Sequence, residues 1–343
     1  MENSKKKVAL VTGAAGFIGF HVSKSLLAEG WRVVGVDCLS DYYDVLLKKQ
    51  RECILLENAS YRSVHEKIEK PHFLTNLFDE EQPDIVIHLA AQAGVRYSIE
   101  NPRAYLESNI NGTFELLEAA RAFPTTHMLL ASTSSAYGAN EEMPYKETDK
   151  ADHQMSFYAA TKKSTENMAH SYAHLYDLPT TMFRFFTVYG PWGRPDMALF
   201  KFTKAILKGD PIHVYNHGEM SRDFTYIDDL VRGIHLLIDE RPSHNADNLA
   251  KVDSKSQVAP FRIVNIGNSK PVKLIDFINA IEQVTGLKAN KNFMPMQSGD
   301  VPATWADTSL LHRLTAYKPE TDLITGIEKF VHWYLEYYDP RES

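Results

Sequence analysis

A tyrosine and a lysine stand four residues apart in the stretch SFYAATKK, as Tyr158 and Lys162. Four residues is about one turn of a helix, so on a helix both side chains would lie on the same face. A free phenol has a pKa of about 10, too high for a general base at neutral pH, and a neighbouring positive charge lowers that pKa. The pair can therefore form an acid–base site, although this spacing alone is more often an ordinary polar helix face.

Three consecutive hydroxyl residues, Thr133, Ser134 and Ser135, follow the apolar run 128–131 and precede Tyr158 by about two dozen residues. If the run is a central strand, these hydroxyls leave its end while Tyr158 lies on the next helix. Hydroxyl and phenol groups could then converge on one substrate oxygen.

The N-terminal region predicts a dinucleotide site. Val8–Thr12 is a continuous apolar run, as expected for a strand buried on both faces of a parallel sheet. Gly13, Gly16 and Gly19 follow in GAAGFIG, before a helix with apolar residues at helical spacing. Such glycines permit a tight turn and close approach of the backbone to a pyrophosphate, and the helix N-terminus offers N–H groups to the phosphates.

The predicted second strand, 31–36, ends in Asp37, which lies 24 residues after Gly13. A carboxylate at this point can accept hydrogen bonds from both hydroxyls of an adenosine ribose and would repel a 2′-phosphate. The pattern therefore favours NAD over NADP. The three glycines, the helix start at Phe17 and Ile18, and Asp37 are the candidate cofactor residues.

Strands and helices alternate along the first half of the chain. Apolar runs predict strands at 84–88, 128–131 and 180–185, and helical spacing predicts helices at 102–121 and 157–176. This alternation predicts an α/β fold with a doubly wound parallel (Rossmann) sheet and a ligand crevice at the carboxyl ends of its strands. The candidate residues fall at those ends, which favours the catalytic interpretation of Tyr158 and Lys162.

Composition excludes several classes of function. The chain has 343 residues, of which 44% are hydrophobic and 24% charged, enough for two domains with separate cores. Its net charge of −7 and lack of a long basic run argue against nucleic acid as the main partner. Its two cysteines, Cys38 and Cys53, lack metal-ligand spacing and fit a reducing cytoplasm without structural disulfides or zinc.

One stretch near the N-terminus could be mistaken for a targeting signal. Three lysines at 5–7 and the apolar residues after them imitate a signal peptide, but Thr12 and three glycines interrupt the run. No stretch reaches the roughly 18 apolar residues of a membrane span. The polar segment 241–260 predicts an exposed loop without an assignable role. We therefore expect a cytoplasmic protein without a membrane partner or a metal.

The chain resembles the extended short-chain dehydrogenase/reductases of the NAD-dependent epimerase/dehydratase family, and among these nucleotide-sugar enzymes most of all the UDP-glucuronate 4-epimerases. The similarity runs nearly from end to end. It is carried by VTGAAGFIGFHV, HLAAQAGVRYS, STSSAYGAN, DHQMSFYAATKK, FRFFTVYGPWGRPDMA, SRDFTYIDDLVRGI, VNIGNS and GDVPATWADTS.

The resemblance implies a mechanism. Tyr158, as phenolate, would take the proton of the sugar C4 hydroxyl while hydride passes to NAD. The 4-keto sugar would turn over in the pocket and receive hydride on its opposite face, so that NAD is recycled. Thr133 would assist the proton transfer, Lys162 would bind the nicotinamide ribose and tune Tyr158, and Ala90 would contact the cofactor. Arg222 would bind the diphosphate, the alternative being an exposed loop arginine.

Two short stretches sort the chain within the family. Relatives that dehydrate sugars carry an Asp–Glu pair where this chain has Ser134 and Ser135, and relatives that decarboxylate UDP-glucuronate carry a glutamate at the position of Ser135. Both reactions need an additional carboxylate, so 4-epimerisation remains. Thr187 and Arg194 resemble the residues that hold the uronate carboxylate, although Arg194 could also be a solvated loop charge.

The resemblance therefore implies NAD-dependent 4-epimerisation of UDP-glucuronate to UDP-galacturonate, with Ser134, Ser135, Thr187, Arg194 and Arg222 in the substrate site. One alternative is a UDP-glucose or UDP-N-acetylhexosamine 4-epimerase. Another is an NAD-binding protein without catalysis, against which the presence of a tyrosine and lysine pair argues.

The family also implies a smaller substrate-binding domain and a homodimer. Residues 1–187 would form the NAD-binding domain and 188–343 the substrate domain, with segments partly interleaved. The helices at 102–121 and 157–176 would pack against those of a second subunit.

One position departs from the family pattern. Relatives carry a Gly-Asp-hydrophobic triplet whose aspartate accepts a hydrogen bond from the adenine amino group. The matching triplet here is Glu66-Lys67-Ile68, and a lysine cannot accept a hydrogen bond. The sequence therefore leaves open how adenine is held.

Overall fold

The structure is a computed structural model that describes residues 6–244, 253–296 and 301–338. Its strands are β1 (Val8–Thr12), β2 (Arg32–Asp37), β3 (Tyr61–His65), β4 (Ile85–His88), β5 (His127–Ala131), β6 (Thr180–Phe185), β7 (Thr187–Tyr189), β8 (Pro211–Val214), β9 (Ser221–Tyr226), β10 (Phe261–Ile266), β11 (Pro271–Lys273), β12 (Asn290–Phe293) and β13 (Ala303–Thr304).

Helices cover much of the remaining described chain. They are α1 (Phe17–Ala28), α2 (Val45–Leu56), α3 (Phe73–Glu81), α4 (Tyr97–Glu100), α5 (Pro102–Tyr105), α6 (Gly112–Ala122), α7 (Phe157–Tyr176), α8 (Ala198–Lys208), α9 (Ile227–Leu237), α10 (Leu274–Thr285), α11 (Ser309–Thr315) and α12 (Leu323–Tyr338). A π-helical segment covers Leu106–Asn111, and short 3₁₀ helices cover Ser134–Tyr137 and Tyr215–Gly218.

A seven-stranded parallel sheet in the order β10-β6-β5-β4-β1-β2-β3 organises the larger part of the molecule. All residues of β1, β4, β5 and β6 are buried, since helices cover both faces. The chain order reverses between β1 and β4, where the loops after the two strands diverge and leave a crevice. This confirms the predicted doubly wound α/β fold.

Several predicted elements match the structure closely. The bounds predicted for β1, α7 and β6 are those observed, and the second strand is displaced by one residue at each end. The strand predicted at 84–88 is present as β4, but β3, which precedes it in the chain, was not predicted. In β3 only Tyr61 is buried, since the strand lies at the sheet edge, and the sequence there therefore lacks an apolar run.

The helix predicted at 102–121 is divided. Asn101 caps its first turn by accepting a hydrogen bond from Ala104 N, and Pro102 occupies the first helical position. The chain then passes through the π-helical segment before α6 begins. Such π-helical turns concentrate at functional sites, and this one borders the cavity described below.

The second half of the chain builds a smaller layer and also completes the main sheet. Strand β9 pairs with β7, β11 and β13, and β8 pairs with β12. Strand β10 instead joins the main sheet beside β6. The domain boundary at residue 187 stays a prediction. Of the loop predicted at 241–260, residues 245–252 lie outside the described residues.

Asn265, on β10, ties the C-terminal segment to the sheet. Its side chain donates to the carbonyl oxygens of Tyr145 (2.8 Å) and Asp307 (3.2 Å) and accepts from the Tyr137 hydroxyl. Its backbone N–H donates to Glu147 Oε1 (2.9 Å). Burial raises the pKa of Glu147 to about 7, above that of an exposed glutamate.

We expect Glu147→Gln to raise the melting temperature by a few degrees at pH 8 and by much less at pH 5. The folded pKa lies above the unfolded one, so the neutral carboxyl is favourable at low pH and its contribution is lost as pH rises through about 7. Glutamine remains neutral and keeps an acceptor for Asn265 N–H. Thermal unfolding of both proteins at the two pH values measures the difference, and an equal shift at both would contradict it.

Candidate active site

A cavity of about 1070 Å³ extends along the carboxyl ends of the parallel strands. Its walls come from the loops after β1 to β6 and from the smaller layer around β9. The structure brings to this one cavity every residue predicted for catalysis or binding: Gly13, Gly16, Phe17, Ile18, Gly19, Asp37, Ala90, Thr133, Ser134, Ser135, Tyr158, Lys162, Thr187, Arg194 and Arg222.

The glycine loop has the geometry that a diphosphate requires. Gly13 has a φ of +72°, and a Cβ there would lie 2.8 Å from Ala90 N. A Cβ on Gly19 would lie 2.0 Å from Gly13 O. Larger residues would therefore push apart the turn and the start of α1, whose first residues line the cavity. The exposed N–H groups of a helix start attract phosphate.

Asp37 is fixed by the backbone on either side of it. Its Oδ2 accepts from Ala15 N (3.0 Å) and its Oδ1 from Leu39 N (2.9 Å). Each carboxylate oxygen keeps lone-pair capacity, because an ionised carboxylate offers about four acceptor positions. The carboxylate therefore fits a ribose diol, and its charge disfavours a 2′-phosphate.

Thr12 and His88 join the two strands at the point where strand order reverses, and sequence reasoning missed them. Thr12 Oγ1 lies 2.7 Å from His88 Nδ1 and accepts from the N–H groups of Leu89 and Ala90. Burial lowers the pKa of His88 to about 3, so its ring is neutral at pH 7. A polar residue at the end of each apolar strand was the available signal.

Tyr158 faces the cavity from the first turn of α7. The hydroxyl of Ser156 caps this helix by accepting from Ala159 N. Burial raises the pKa of the Tyr158 phenol, while the Thr133 hydroxyl and, more weakly, the charge of Arg194 lower it. The phenol therefore stays protonated at neutral pH until further positive charge approaches it.

Lys162 lies one turn further along α7 and is 4% exposed. Its Nζ donates to the carbonyl of Ala131 at the end of β5 (2.9 Å). Burial lowers its pKa to about 8, partly opposed by Glu166. The group thus remains mostly cationic at pH 7, held beside the strand end that carries Thr133.

A buried ion pair fixes this strand end to α7, and sequence reasoning did not find it. Glu166 accepts from Arg184 Nε and Nη2 at 2.9 and 2.8 Å, and both side chains are 1% exposed. Its Oε1 also accepts from the Ser132 hydroxyl (2.6 Å). The pair therefore links α7, β5 and β6 immediately behind Thr133 and Lys162.

Asn109, in the π-helical segment, supports the opposite wall. Its side chain exchanges hydrogen bonds with the backbone of Gln92 and donates to the Thr161 hydroxyl (3.0 Å). The loop after β4 is thereby tied to α7. No periodicity or spacing signal distinguishes this asparagine in the sequence.

Arg194 lies in the cavity but already has a carboxylate partner. Its Nε donates to Asp196 Oδ1 (3.0 Å) and its Nη2 to Oδ2 (2.5 Å). Burial opposes ionisation of Asp196, but the neighbouring guanidinium outweighs it and lowers the pKa of that carboxyl. The two side chains are 22% and 26% exposed, so the pair is partly buried. The role of Arg194 in holding a uronate carboxylate stays a prediction.

Arg222 lies on β9 at the other side of the cavity. Its guanidinium donates to the carbonyls of Ser221 (2.9 Å) and Val301 (2.8 Å). These bonds orient the guanidinium along the cavity wall. A guanidinium offers parallel N–H donors that match the oxygens of a phosphate.

Residues 9–250 match the model of the NAD dependent epimerase/dehydratase family. The match covers well over half of the chain, so the chain belongs to this family.

The relatives specify the class further. The chain is 53% identical to the probable UDP-glucuronate 4-epimerase of Rhizobium meliloti, over 96% of this chain and 97% of that one. It is 33% identical to a UDP-glucuronic acid 4-epimerase of Bacillus cereus solved with UDP-glucuronic acid and NAD (TM-score 0.86, covering 96% and 100%). A UDP-glucose 4-epimerase of Thermotoga maritima solved with UDP-glucose is 29% identical (TM-score 0.81, covering 96% and 99%).

The described residues show neither a metal-binding cluster nor a membrane-spanning helix. Within residues 6–244, 253–296 and 301–338, no group of three or more His, Cys, Asp or Glu side chains is arranged to hold a metal ion. No helix in the described part of the chain has both the length and the apolar character needed to cross a bilayer.

Proposed function

We propose that the protein is an NAD-dependent 4-epimerase that converts UDP-glucuronate to UDP-galacturonate. The full-length similarity to UDP-glucuronate 4-epimerases carries this assignment. The cavity supports it, because the loop beside Tyr158 carries the hydroxyls of Ser134 and Ser135 where dehydration or decarboxylation would need a carboxylate.

The glycine loop and Asp37 provide what a bound dinucleotide needs: backbone donors for the diphosphate and a carboxylate for the ribose diol. Bound NAD supplies the redox chemistry, because it accepts a hydride from C4 of the sugar and returns it to the opposite face. It is thus recycled in each turnover and can remain bound.

Tyr158 is the acid–base residue in this proposal. Its phenolate oxygen accepts the proton of the C4 hydroxyl and later returns it to the same oxygen. The Lys162 ammonium lies one turn away at the end of β5, and the cationic ring of bound NAD⁺ would add a second positive charge beside the phenol. Both charges would oppose the effect of burial, which raises the pKa of Tyr158. The Thr133 hydroxyl donates a hydrogen bond that further stabilises the phenolate.

Arg194 and Thr187 hold the uronate carboxylate. Asp196 occupies the Nε side of the guanidinium, which leaves Nη1 and the second hydrogen of Nη2 as a two-donor edge for a second carboxylate. Asp196 thus orients Arg194, and the sugar carboxylate shares the cation with it. On the other side of the site, Arg222 binds the diphosphate of the substrate.

The test is to incubate the purified protein with UDP-glucuronate, without added cofactor, and to resolve the products by NMR. We expect UDP-galacturonate, with retained NAD sufficient for turnover. Equal turnover of UDP-glucose or UDP-N-acetylglucosamine would favour the hexose or N-acetylhexosamine alternative. Absence of turnover for all three, with NAD bound, would favour an NAD-binding protein without catalysis.

A homodimer and a cytoplasmic location complete the proposal. The two helical segments predicted to meet a second subunit expose large apolar side chains, including Leu106, Phe114 and Leu175, which are 42%, 44% and 62% exposed. Cys38 and Cys53 are unpaired thiols, as is usual in a reducing compartment.

A further inference from the structure

The adenine end of the cavity contains the departure seen in the sequence. The loop after β3 brings Glu66, Ile68 and Glu69 into the cavity wall. The Lys67 side chain is 65% exposed and carries no acceptor. Ile68 is 5% exposed, so the register of the triplet agrees with its apolar third position. The aspartate expected at residue 67 is therefore missing, and another group must accept from adenine.

Two carboxylates line this part of the wall, and one of them is already engaged. Glu66 Oε1 accepts from the Lys67 backbone N–H (3.1 Å), and its Oε2 accepts from Lys70 Nζ. The nearest cation to Glu69 is Lys67, whose Nζ lies 3.9 Å from Oε1, too far for a hydrogen bond. Each Glu66 oxygen thus already accepts one hydrogen bond, and the Lys70 ammonium offsets its charge, whereas among the described residues the Glu69 carboxylate has only the more distant Lys67 ammonium within 4 Å.

The position of Glu69 places it at the adenosine end. Burial and the charge of Asp37 raise the pKa of the Cys38 thiol most, and the charge of Glu69 raises it further. Glu69 therefore lies near Cys38, the residue that follows Asp37. The Glu69 side chain is 19% exposed, as for a group in a cavity wall. Asp37 at the end of β2 pairs with His65 at the end of β3, so the loop that follows His65 lies beside any ribose that Asp37 holds.

We infer that Glu69 accepts the hydrogen bond from the 6-amino group of adenine in this chain, in place of the aspartate that Lys67 replaces. The inference rests on the cofactor part of the proposed function and adds to it a binding residue.

The inference predicts discrimination at the 6-position edge of the base. Nicotinamide hypoxanthine dinucleotide is NAD with a carbonyl oxygen in place of the 6-amino group and an N–H in place of the acceptor N1. A carboxylate that faces the 6-position cannot pair with the carbonyl oxygen. Hydrogen bonds to charged groups contribute about ten- to a hundredfold in affinity. The wild-type protein should therefore bind NAD at least about tenfold more tightly than the hypoxanthine analogue.

Calorimetric titration of the nucleotide-free protein with both dinucleotides tests this. Glu69→Ala should weaken NAD binding and bring the ratio of the two dissociation constants close to one. Glu69→Gln, which keeps the size of the side chain and can donate to the carbonyl, should shift the ratio towards the analogue. Glu66→Gln is the matched control and should keep the wild-type ratio. Lys67→Asp added to Glu69→Ala should restore the preference for NAD.

An unchanged ratio in Glu69→Ala, or a ratio lost in Glu66→Gln, would overturn the assignment. Should Glu69→Ala fail to fold, Glu69→Gln carries the same comparison. The readout is binding and not turnover, so the two proposals fail separately. A protein that shows this preference without epimerising would contradict only the proposed function, and one that epimerises without the preference would contradict only the role of Glu69.

Discussion

Tyr158→Phe is expected to lower kcat on UDP-glucuronate by at least about 10²-fold, the usual contribution of a general base. The substitution removes only the phenolic oxygen. The ring keeps its place beside Tyr105, whose centroid lies 5.9 Å away in an edge-on arrangement. The fold and the bound NAD should therefore be retained. Initial rates by NMR, NAD content after denaturation and circular dichroism measure the three quantities.

Tyr97→Phe provides a control for this result. Tyr97 also has a phenol in the cavity wall, but its hydroxyl oxygen accepts a hydrogen bond from Asn101 Nδ2 (3.0 Å). Its loss should change kcat only a few-fold. If Tyr158→Phe were to lose only a few-fold as well, Tyr158 would not be the acid–base residue, and another group would have to accept the C4 proton.

The catalytic helix shows how far local sequence information extends. The Tyr158 and Lys162 spacing and the glycines of the first loop depend on contacts between near neighbours, so the sequence predicts them well. The same locality explains why β1, α7 and β6 have their predicted bounds. Strand ends in a parallel sheet share one edge, so the separate motifs could also be expected at one cavity.

The elements that escaped prediction depend on distant parts of the chain. Glu166 pairs with Arg184 across 18 residues and Asn109 with Thr161 across 52. Neither residue type is unusual in its own segment, and only the packing of α7 against the sheet makes them partners. Strand β3 was missed for a related reason, since an edge strand with one buried residue has no apolar pattern.

Arg194 has one feature that the sequence predicted and one that it did not. The resemblance predicted that Arg194 lies in the proposed substrate site, but it did not predict the pairing with Asp196. A neutral hexose would leave the Arg194 guanidinium paired with Asp196. Binding of UDP-glucose therefore costs less free energy than it would if it buried a cation without a partner. Selectivity must then come from what the second edge of the guanidinium gains when a uronate is present.

Arg194→Ala is therefore expected to lower kcat/KM for UDP-glucuronate by about 10²-fold and to affect any trace activity on UDP-glucose only slightly. In the variant, the sugar carboxylate and Asp196 would face each other in a partly buried site without a cation. Breaking such a charge pair costs about 2–5 kcal/mol. UDP-glucose has no carboxylate at C5 and avoids the repulsion. Measuring kcat/KM for both substrates in both proteins gives the selective part of the loss.

Asp196→Asn should change the ratio of kcat/KM for UDP-glucuronate to kcat/KM for UDP-glucose in the opposite direction. Asparagine keeps an acceptor for Arg194 Nε, which lies 3.0 Å from Oδ1, but it removes the charge that competes with the substrate. The guanidinium then carries an uncompensated charge until a uronate binds, so KM for UDP-glucuronate should fall while UDP-glucose becomes a poorer substrate. Equal losses on the two substrates in Arg194→Ala, together with an unchanged ratio in Asp196→Asn, would mean that the pair only stabilises its loop. Recognition of the carboxylate would then fall to Thr187 and the hydroxyls of Ser134 and Ser135.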